Sequence, residues 1–343
     1  MSRALFSGTQ SRRLPNAGVI RKGLLLRYPP IFRLLVIGFL PLIAAGGIAR
    51  SPSVAAEPTV EPTAKQLVAE ADRIVVLGDS ITYGGRWVAL LDCWKETVGL
   101  TGTVINMGLS SETVSGLSED GHAGGKFPRP DLHERLDRVL RVSRPDLVIA
   151  CYGMNCGIYL PLDAERFASF CTGIERLHAT VEAAGARIVH LTPPIYDQRP
   201  DKLGPAGDTD YDAVLTEYSR WLLSKRADGW LVFDVHDPMK QALERARRDD
   251  PNVIFSPDTV HPNEAGHWAI CRAFLDSLGV SADWTEEQAE PLLPLVTKRM
   301  NLLRDAYLSA AGHLRPGVRL GLPLDEAIRE ADRLTDEIRA SSR

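Results

Sequence analysis

Short apolar runs rich in Val and Ile recur along the chain at 74–78, 103–107, 146–152, 187–192 and 230–234. Their apolar residues are consecutive rather than alternate, the pattern of strands buried on both faces. Between the runs the apolar spacing changes to three and four. That spacing predicts helices over 85–98, 131–142, 163–184, 210–226 and 238–248, with a last core helix over 263–278. The helix at 163–184 is the clearest: Phe167, Phe170, Ile174, Leu177 and Val181 share one face, and Gly185 ends it. Strand-helix alternation of this kind builds an α/β fold, a parallel sheet with helices on both faces and right-handed crossovers.

The two ends of the chain read differently. Residues 57–71 contain Pro and Glu and read as a linker to a main domain over 72–280. Residues 281–343 have no strand pattern. There Thr285 to Gln288 (TEEQ) fits a capping box, and an apolar stripe follows through Leu292, Leu295, Met300, Leu303 and Tyr307. After a Pro- and Gly-rich turn at 315–323 comes a second stripe, Leu324, Ile328, Ala331, Leu334 and Ile338. A helical C-terminal extension is expected, packed as a hairpin on the main domain; a lid or a dimer contact is the alternative.

Charge changes the picture at the N-terminus. Eight of the forty Lys and Arg residues precede Glu57, the first acidic residue, so 57–343 holds thirty-two basic against forty-four acidic residues, a formal charge of −12. A nucleic-acid partner, which requires a basic face, is not expected. The basic stretch leads into an uncharged run from Leu34 to Ala49, and Val54 and Ala56 suit a cleavage site before Glu57. Residues 1–56 therefore read as an export signal, placing the protein in the periplasm or outside the cell. The run contains Pro41 and is shorter than the ~20 residues of a usual spanning helix. An uncleaved anchor is the alternative, and only then would the protein contact a membrane. The cysteines Cys93, Cys151, Cys156, Cys171 and Cys271 are odd in number and scattered, so free buried thiols are expected.

Candidate chemistry gathers where strands end. The first run stops at Gly78-Asp79-Ser80, the second at Gly108, the third at Gly153 and Asn155. Carboxyl ends of parallel strands form the ligand-binding edge of open α/β sheets. Ser80 there is a candidate nucleophile, though a serine before a helix is often only a cap. Asp258 and His261 stand three apart in the loop before the last core helix. That spacing lets a carboxylate orient an imidazole whose other nitrogen faces a serine. Gly108 offers a backbone N–H free of side-chain obstruction, and the Asn155 amide offers a further donor for a developing oxyanion.

Taken in order, Gly78-Asp79-Ser80, Gly108, Gly153-x-Asn155 and Asp258-x-x-His261 resemble the four signature blocks of the SGNH (GDSL-type) hydrolase family, over about residues 72–279. The resemblance implies a flavodoxin-like three-layer α/β/α sandwich with a parallel five-stranded sheet, and esterase or lipase chemistry without a cofactor or metal. It implies Ser80 as nucleophile, His261 as base and Asp258 as its orienting acid. The N–H groups of Ser80 and Gly108 and the Asn155 side chain would form the oxyanion hole, with Asp79 and Gly153 in support. One position departs from the pattern: Cys156 stands where the family usually has Asp.

Trp87, Tyr196 and Arg199 fall in segments expected on the catalytic edge and are candidates for substrate contact. The "DVHDP" segment, Asp234 to Pro238, suggests a metal only weakly. The expected activity is hydrolysis of carboxylic esters, with acetyl groups on carbohydrates preferred as substrate. Lipid ester cleavage, sugar O-acetyl transfer and a non-catalytic carbohydrate-binding role stay open, as does the oligomeric state.

Overall fold

The computed structural model describes residues 63–341. The expected leader and the first part of the expected linker lie outside the described residues. From residue 63 the linker expectation is corrected, because Ala64–Glu70 is a helix, α1. Thr63 Oγ1 accepts from the Gln66 N–H and Gln66 Oε1 accepts from the Thr63 N–H, so a capping box starts it. Val68 and Ala71 anchor the segment in the core.

Five strands follow: β1 Arg73–Gly78, β2 Thr103–Asn106, β3 Leu147–Cys151, β4 Arg187–Leu191 and β5 Leu231–Phe233. They pair in parallel in the order β2-β1-β3-β4-β5, the flavodoxin-like arrangement. Ile74 to Leu77 and Leu147 to Cys151 are buried without interruption, which accounts for their continuous apolar sequence. Winding reverses at β1 and β3, so a crevice opens beyond their carboxyl ends, the place where ligands bind in such sheets.

The connecting helices are α2 Ser80–Gly84, α3 Arg86–Thr97, α4 Leu132–Ser143, α5 Ala164–Ala183, α6 Tyr211–Ser224, α7 His236–Asp249 and α8 Glu264–Ser277. Right-handed crossovers place α3 on one face of the sheet and α4, α5 and α6 on the other. Accordingly α4 packs on α5 and α5 on α6, while α8 packs on α3.

Two long helices complete the described chain, α9 Leu293–Ala311 and α10 Leu324–Ser341. α9 packs against α3, α4 and β2, and α10 packs on α9. Since β2 is an edge strand, α9 covers an edge that would otherwise offer unpaired backbone groups. Arg299 of α9 sits between Asp92 and Glu96 of α3, each at 2.8 Å, with all three side chains buried. The stripe expected on α10 is turned slightly. Ala327, Ala331, Leu334 and Ile338 are buried, whereas Ile328 is exposed. No helix among the described residues is long and apolar enough to cross a membrane.

Candidate active site

β1 ends at Gly78, and Asp79 caps the short helix that follows by accepting the Ile81 N–H at 2.9 Å. Ser80 is thereby held as the first helical residue at the carboxyl edge. Its N–H belongs to the first turn, where helix geometry supplies no acceptor. The loop before α8 brings His261 to the same edge, with Nε2 2.8 Å from Ser80 Oγ. On the far side of the ring, Nδ1–H donates to Asp258 Oδ2 at 2.7 Å, leaving Nε2 as acceptor for the serine hydroxyl. Asp258 Oδ1 also accepts the N–H groups of Val260 and His261, so one carboxylate shapes the turn and orients the ring. Partial burial would raise the Asp258 pKa, but hydrogen bonds from the His261 ring, His261 N–H and Val260 N–H hold it below the ordinary value. The His261 and Asp258 side chains remain about half exposed.

Asn155 is buried in the turn after β3, at the same carboxyl edge as the end of β1, with which β3 pairs. Gly153 opens that turn with φ 144°, and a Cβ there would stand 2.6 Å from the Pro193 ring, so only glycine fits. Asn155 Oδ1 accepts from Arg129 Nη1 and from the Tyr159 hydroxyl, each at 2.9 Å, and Nδ2 donates to the Glu112 carbonyl at 3.3 Å. A primary amide carries two N–H groups, so a second is left for a ligand. Gly108 is placed differently from expectation. Its N–H donates to Asn106 Oδ1 at 2.9 Å and is not a free oxyanion donor in this structure. The side chain of Asn106 closes a local turn over its own backbone, and its Nδ2 donates to the Thr82 carbonyl. Glycine is required at 108 for packing, since a Cβ would lie 2.5 Å from the Tyr83 nitrogen.

The arrangement is a hydroxyl, a base oriented by a carboxylate, and buried donors on one crevice. The family described as GDSL-like lipase/acylhydrolase matches this chain over residues 76–269. The chain belongs to that family. Among solved structures, a gut microbial diltiazem-metabolizing enzyme is 21% identical with a TM-score of 0.50, over 61% of this chain and 47% of that one. The chain therefore spans about half the length of that protein, and the likeness bears on the fold. An acetylxylan esterase from Geobacillus stearothermophilus is 20% identical, with a TM-score of 0.47 over 62% of this chain and 97% of its own. An α/β hydrolase enzyme from the metagenome of Lake Arreo, Spain, is 22% identical, with a TM-score of 0.46 over 61% and 95%. No curated protein matches.

As a GDSL-like acylhydrolase the protein is a serine ester hydrolase, and several residues around its crevice differ from sequence expectation. Trp87 is wholly buried inside α3 and is a core residue, not a substrate contact. Tyr196 is buried too: its hydroxyl donates to the Leu203 carbonyl and accepts the Ala206 N–H, committing it to loop packing. Arg199 donates to the carbonyls of Asp197, Ser256 and Pro257. It braces the loop carrying Asp258 instead of facing substrate. Asp197, unread in the sequence, joins that brace by accepting the N–H groups of Phe255 and Ser256 and pairing with Arg247.

In the "DVHDP" segment Asp234 accepts from Thr192 Oγ1, and His236 lies against Thr216 Oγ1 and the Pro193 carbonyl. These are local structural bonds. The five cysteines are free thiols, all buried except the half-buried Cys171. Burial pushes the Cys156 thiol up to about 11, against the opposing N–H groups of Val114 and Ser115.

The largest omission from the sequence reading is a buried polar layer behind the crevice. Arg135 grips Glu112 with Nε at 2.6 Å and Nη2 at 2.8 Å, and the Tyr152 hydroxyl donates to Glu112 at 2.6 Å. This ties the loop after β2 to α4 and to the residue that follows β3, and so fixes the carbonyl that Asn155 touches.

Proposed function

We propose that this acylhydrolase is exported and removes acyl groups, acetyl foremost, from carbohydrates through an acyl-enzyme. Ser80 Oγ attacks the ester carbonyl as His261 Nε2 takes its proton, and Asp258 stabilises the imidazolium. Negative charge on the carbonyl oxygen falls to the Ser80 N–H and the Asn155 amide. The alcohol departs with the proton from His261. Water then attacks the acyl-serine, activated by the same ring, and the acid leaves.

The observation that carries this reading is the unbroken contact from Ser80 Oγ through His261 to Asp258, at 2.8 and 2.7 Å. The half-exposed His261 and Asp258 favour a bulky hydrophilic alcohol, because the leaving-group side faces solvent. On the oxyanion side Asn155, Arg129 and Tyr159 are nearly buried and packed together, which favours a short acyl group. The basic leader and small residues before Glu57 support export.

The test is turnover of p-nitrophenyl acetate, butyrate and longer esters, with acetylated xylan in parallel. Acetate should be hydrolysed fastest, and acetate should be released from the xylan. Preference for long acyl chains with no release from the polysaccharide would contradict the substrate assignment.

A further inference from the structure

Two donors converge on the oxygen of Asn155. Arg129 Nη1 and the Tyr159 hydroxyl each lie 2.9 Å from Oδ1. The guanidinium is itself fixed. Its Nε and Nη2 hold the two oxygens of Glu119 at 2.6 and 2.7 Å, and it lies 5.3 Å from the centre of the Tyr159 ring. Its side chain is 5% exposed, so solvent does little to screen it.

We propose that Arg129 is the positioning residue of the oxyanion amide, setting the direction of the Asn155 side chain and strengthening its N–H groups as donors. The inference rests on the reading of Asn155 as an oxyanion donor. Two donors on Oδ1 exclude the flipped amide, which would turn its own N–H groups onto a guanidinium and a hydroxyl. With the oxygen fixed, Nδ2 points one N–H at the Glu112 carbonyl and keeps the other for substrate. A cation on the carbonyl oxygen also draws electron density away from the amide nitrogen. That polarisation makes each N–H a stronger donor, as in any chain of linked hydrogen bonds. The effect is greatest when the partner becomes an oxyanion, so it favours the transition state over bound substrate.

Arg129 precedes Pro130 and Asp131 in the segment leading to α4, and Asp131 caps that helix. Glu119 also accepts from His122, so the segment 119–129 closes on itself around one carboxylate. Partial burial would raise the Glu119 pKa, but the hydrogen bonds from Arg129 and His122 bring it below the ordinary value. Arg129 therefore keeps an ionised partner in the neutral range.

The experiment measures kcat and KM of the full chain on p-nitrophenyl acetate for wild type, Arg129→Met, Arg129→Gln, Arg129→Lys, Asn155→Ala and the double variant Arg129→Met/Asn155→Ala. Losing one charge-assisted bond to the amide should lower kcat roughly 10–100-fold in Arg129→Met with KM nearly unchanged, less than the about 10²–10³ expected for losing the amide. Arg129→Lys should recover part of the loss by restoring a cation. The double variant should be no slower than Asn155→Ala, because Arg129 acts only through that side chain. Circular dichroism identifies which variants fold, and Arg129→Gln replaces Arg129→Met if the latter does not. A folded neutral variant with wild-type kcat, or a double variant slowed by the product of the two single losses, overturns the proposal while leaving the esterase reading intact. Wild-type kcat in Asn155→Ala would overturn both the oxyanion role of Asn155 and this proposal. Turnover by Ser80→Ala would instead remove the serine mechanism itself.

Discussion

His261 Nε2 stands 2.8 Å from Ser80 Oγ although 181 positions separate the two residues in the chain. The contact follows from topology. β1 delivers Ser80 to the carboxyl edge, and the loop before α8 returns to that edge after the fifth strand. Asp258 joins the pair through the ring, so His261 and Asp258 should work as one unit. The double variant Asp258→Ala/His261→Ala should be hardly slower than His261→Ala alone, because groups acting together do not lose rate additively. Steady-state kcat values decide it, and a double variant slowed by the full product of the single losses would separate their roles.

Asp79 carries a pH signature. Burial pushes its carboxyl from the ordinary 3.8 up to about 6, while the Ile81 N–H it accepts and the nearby His261 oppose the rise. The folded state thus holds this proton more tightly than the unfolded chain. The resulting stabilisation is complete below pH 3.8 and is lost as pH rises through 6. Asp79→Asn keeps an oxygen for the Ile81 N–H and carries no charge. It should gain about 2–3 kcal/mol over wild type at pH 8 and almost nothing below pH 4. Thermal unfolding at the two pH values checks this, and equal stability at pH 8 would mean the carboxylate is not penalised there.

The extension is fastened to the main domain through Arg299. Removing that side chain leaves Asp92 and Glu96 as buried carboxylates without their shared cation. Arg299→Ala should therefore destabilise the protein by about 3–5 kcal/mol. Urea titration measures it. A loss under about 1 kcal/mol, the worth of an exposed pair, would show that α9 is held by apolar packing alone.

Cys156 replaces the usual Asp of its family without leaving Asn155 unsupported, since Arg129 and Tyr159 hold that amide. Burial pushes its thiol up to about 11, and the Val114 and Ser115 N–H groups oppose that rise, as they would favour a carboxylate in its place. Cys156→Asp should fold and keep kcat within about threefold, because the proposed oxyanion donors are untouched. Iodoacetamide should leave Cys156 unmodified in the folded protein, as burial and a raised pKa both suppress the thiolate. A large fall in kcat, or rapid alkylation, would contradict this placement.

The sheet was legible because strands buried on both faces are written as continuous Val- and Ile-rich runs, and each appears within a residue or two of its expected place. Ser80, Asp258 and His261 were legible as candidates because Ser80 closely follows the first run and the Asp258-x-x-His261 pair stands in the loop before the last core helix, and the structure brings the three side chains together. What escaped was pairing across sequence distance. Glu112 and Arg135 are 23 residues apart, and Asn155 and Arg129 are 26 apart, distances over which no local pattern links the partners. Donor allocation escaped as well. The Asn106-Met107-Gly108 turn shows Asn and Gly at the right spacing, but only the side-chain rotamer reveals that Asn106 takes the Gly108 N–H. The orientation of α10 depends on the partner beneath it, which is why Ala327 is buried in place of Ile328. α1 was hidden by the neighbouring Pro and Glu residues, although Thr63 and Gln66 have capping-box spacing.

Covalent labelling with a fluorophosphonate, followed by peptide mapping, tests the central claim most directly. Ser80 should carry the adduct, labelling should fall away in His261→Ala, and Ser80→Ala should be folded, unlabelled and inactive on p-nitrophenyl acetate. An adduct on a different serine, or ester turnover by Ser80→Ala at the wild-type rate, would contradict the assignment of Ser80 as nucleophile.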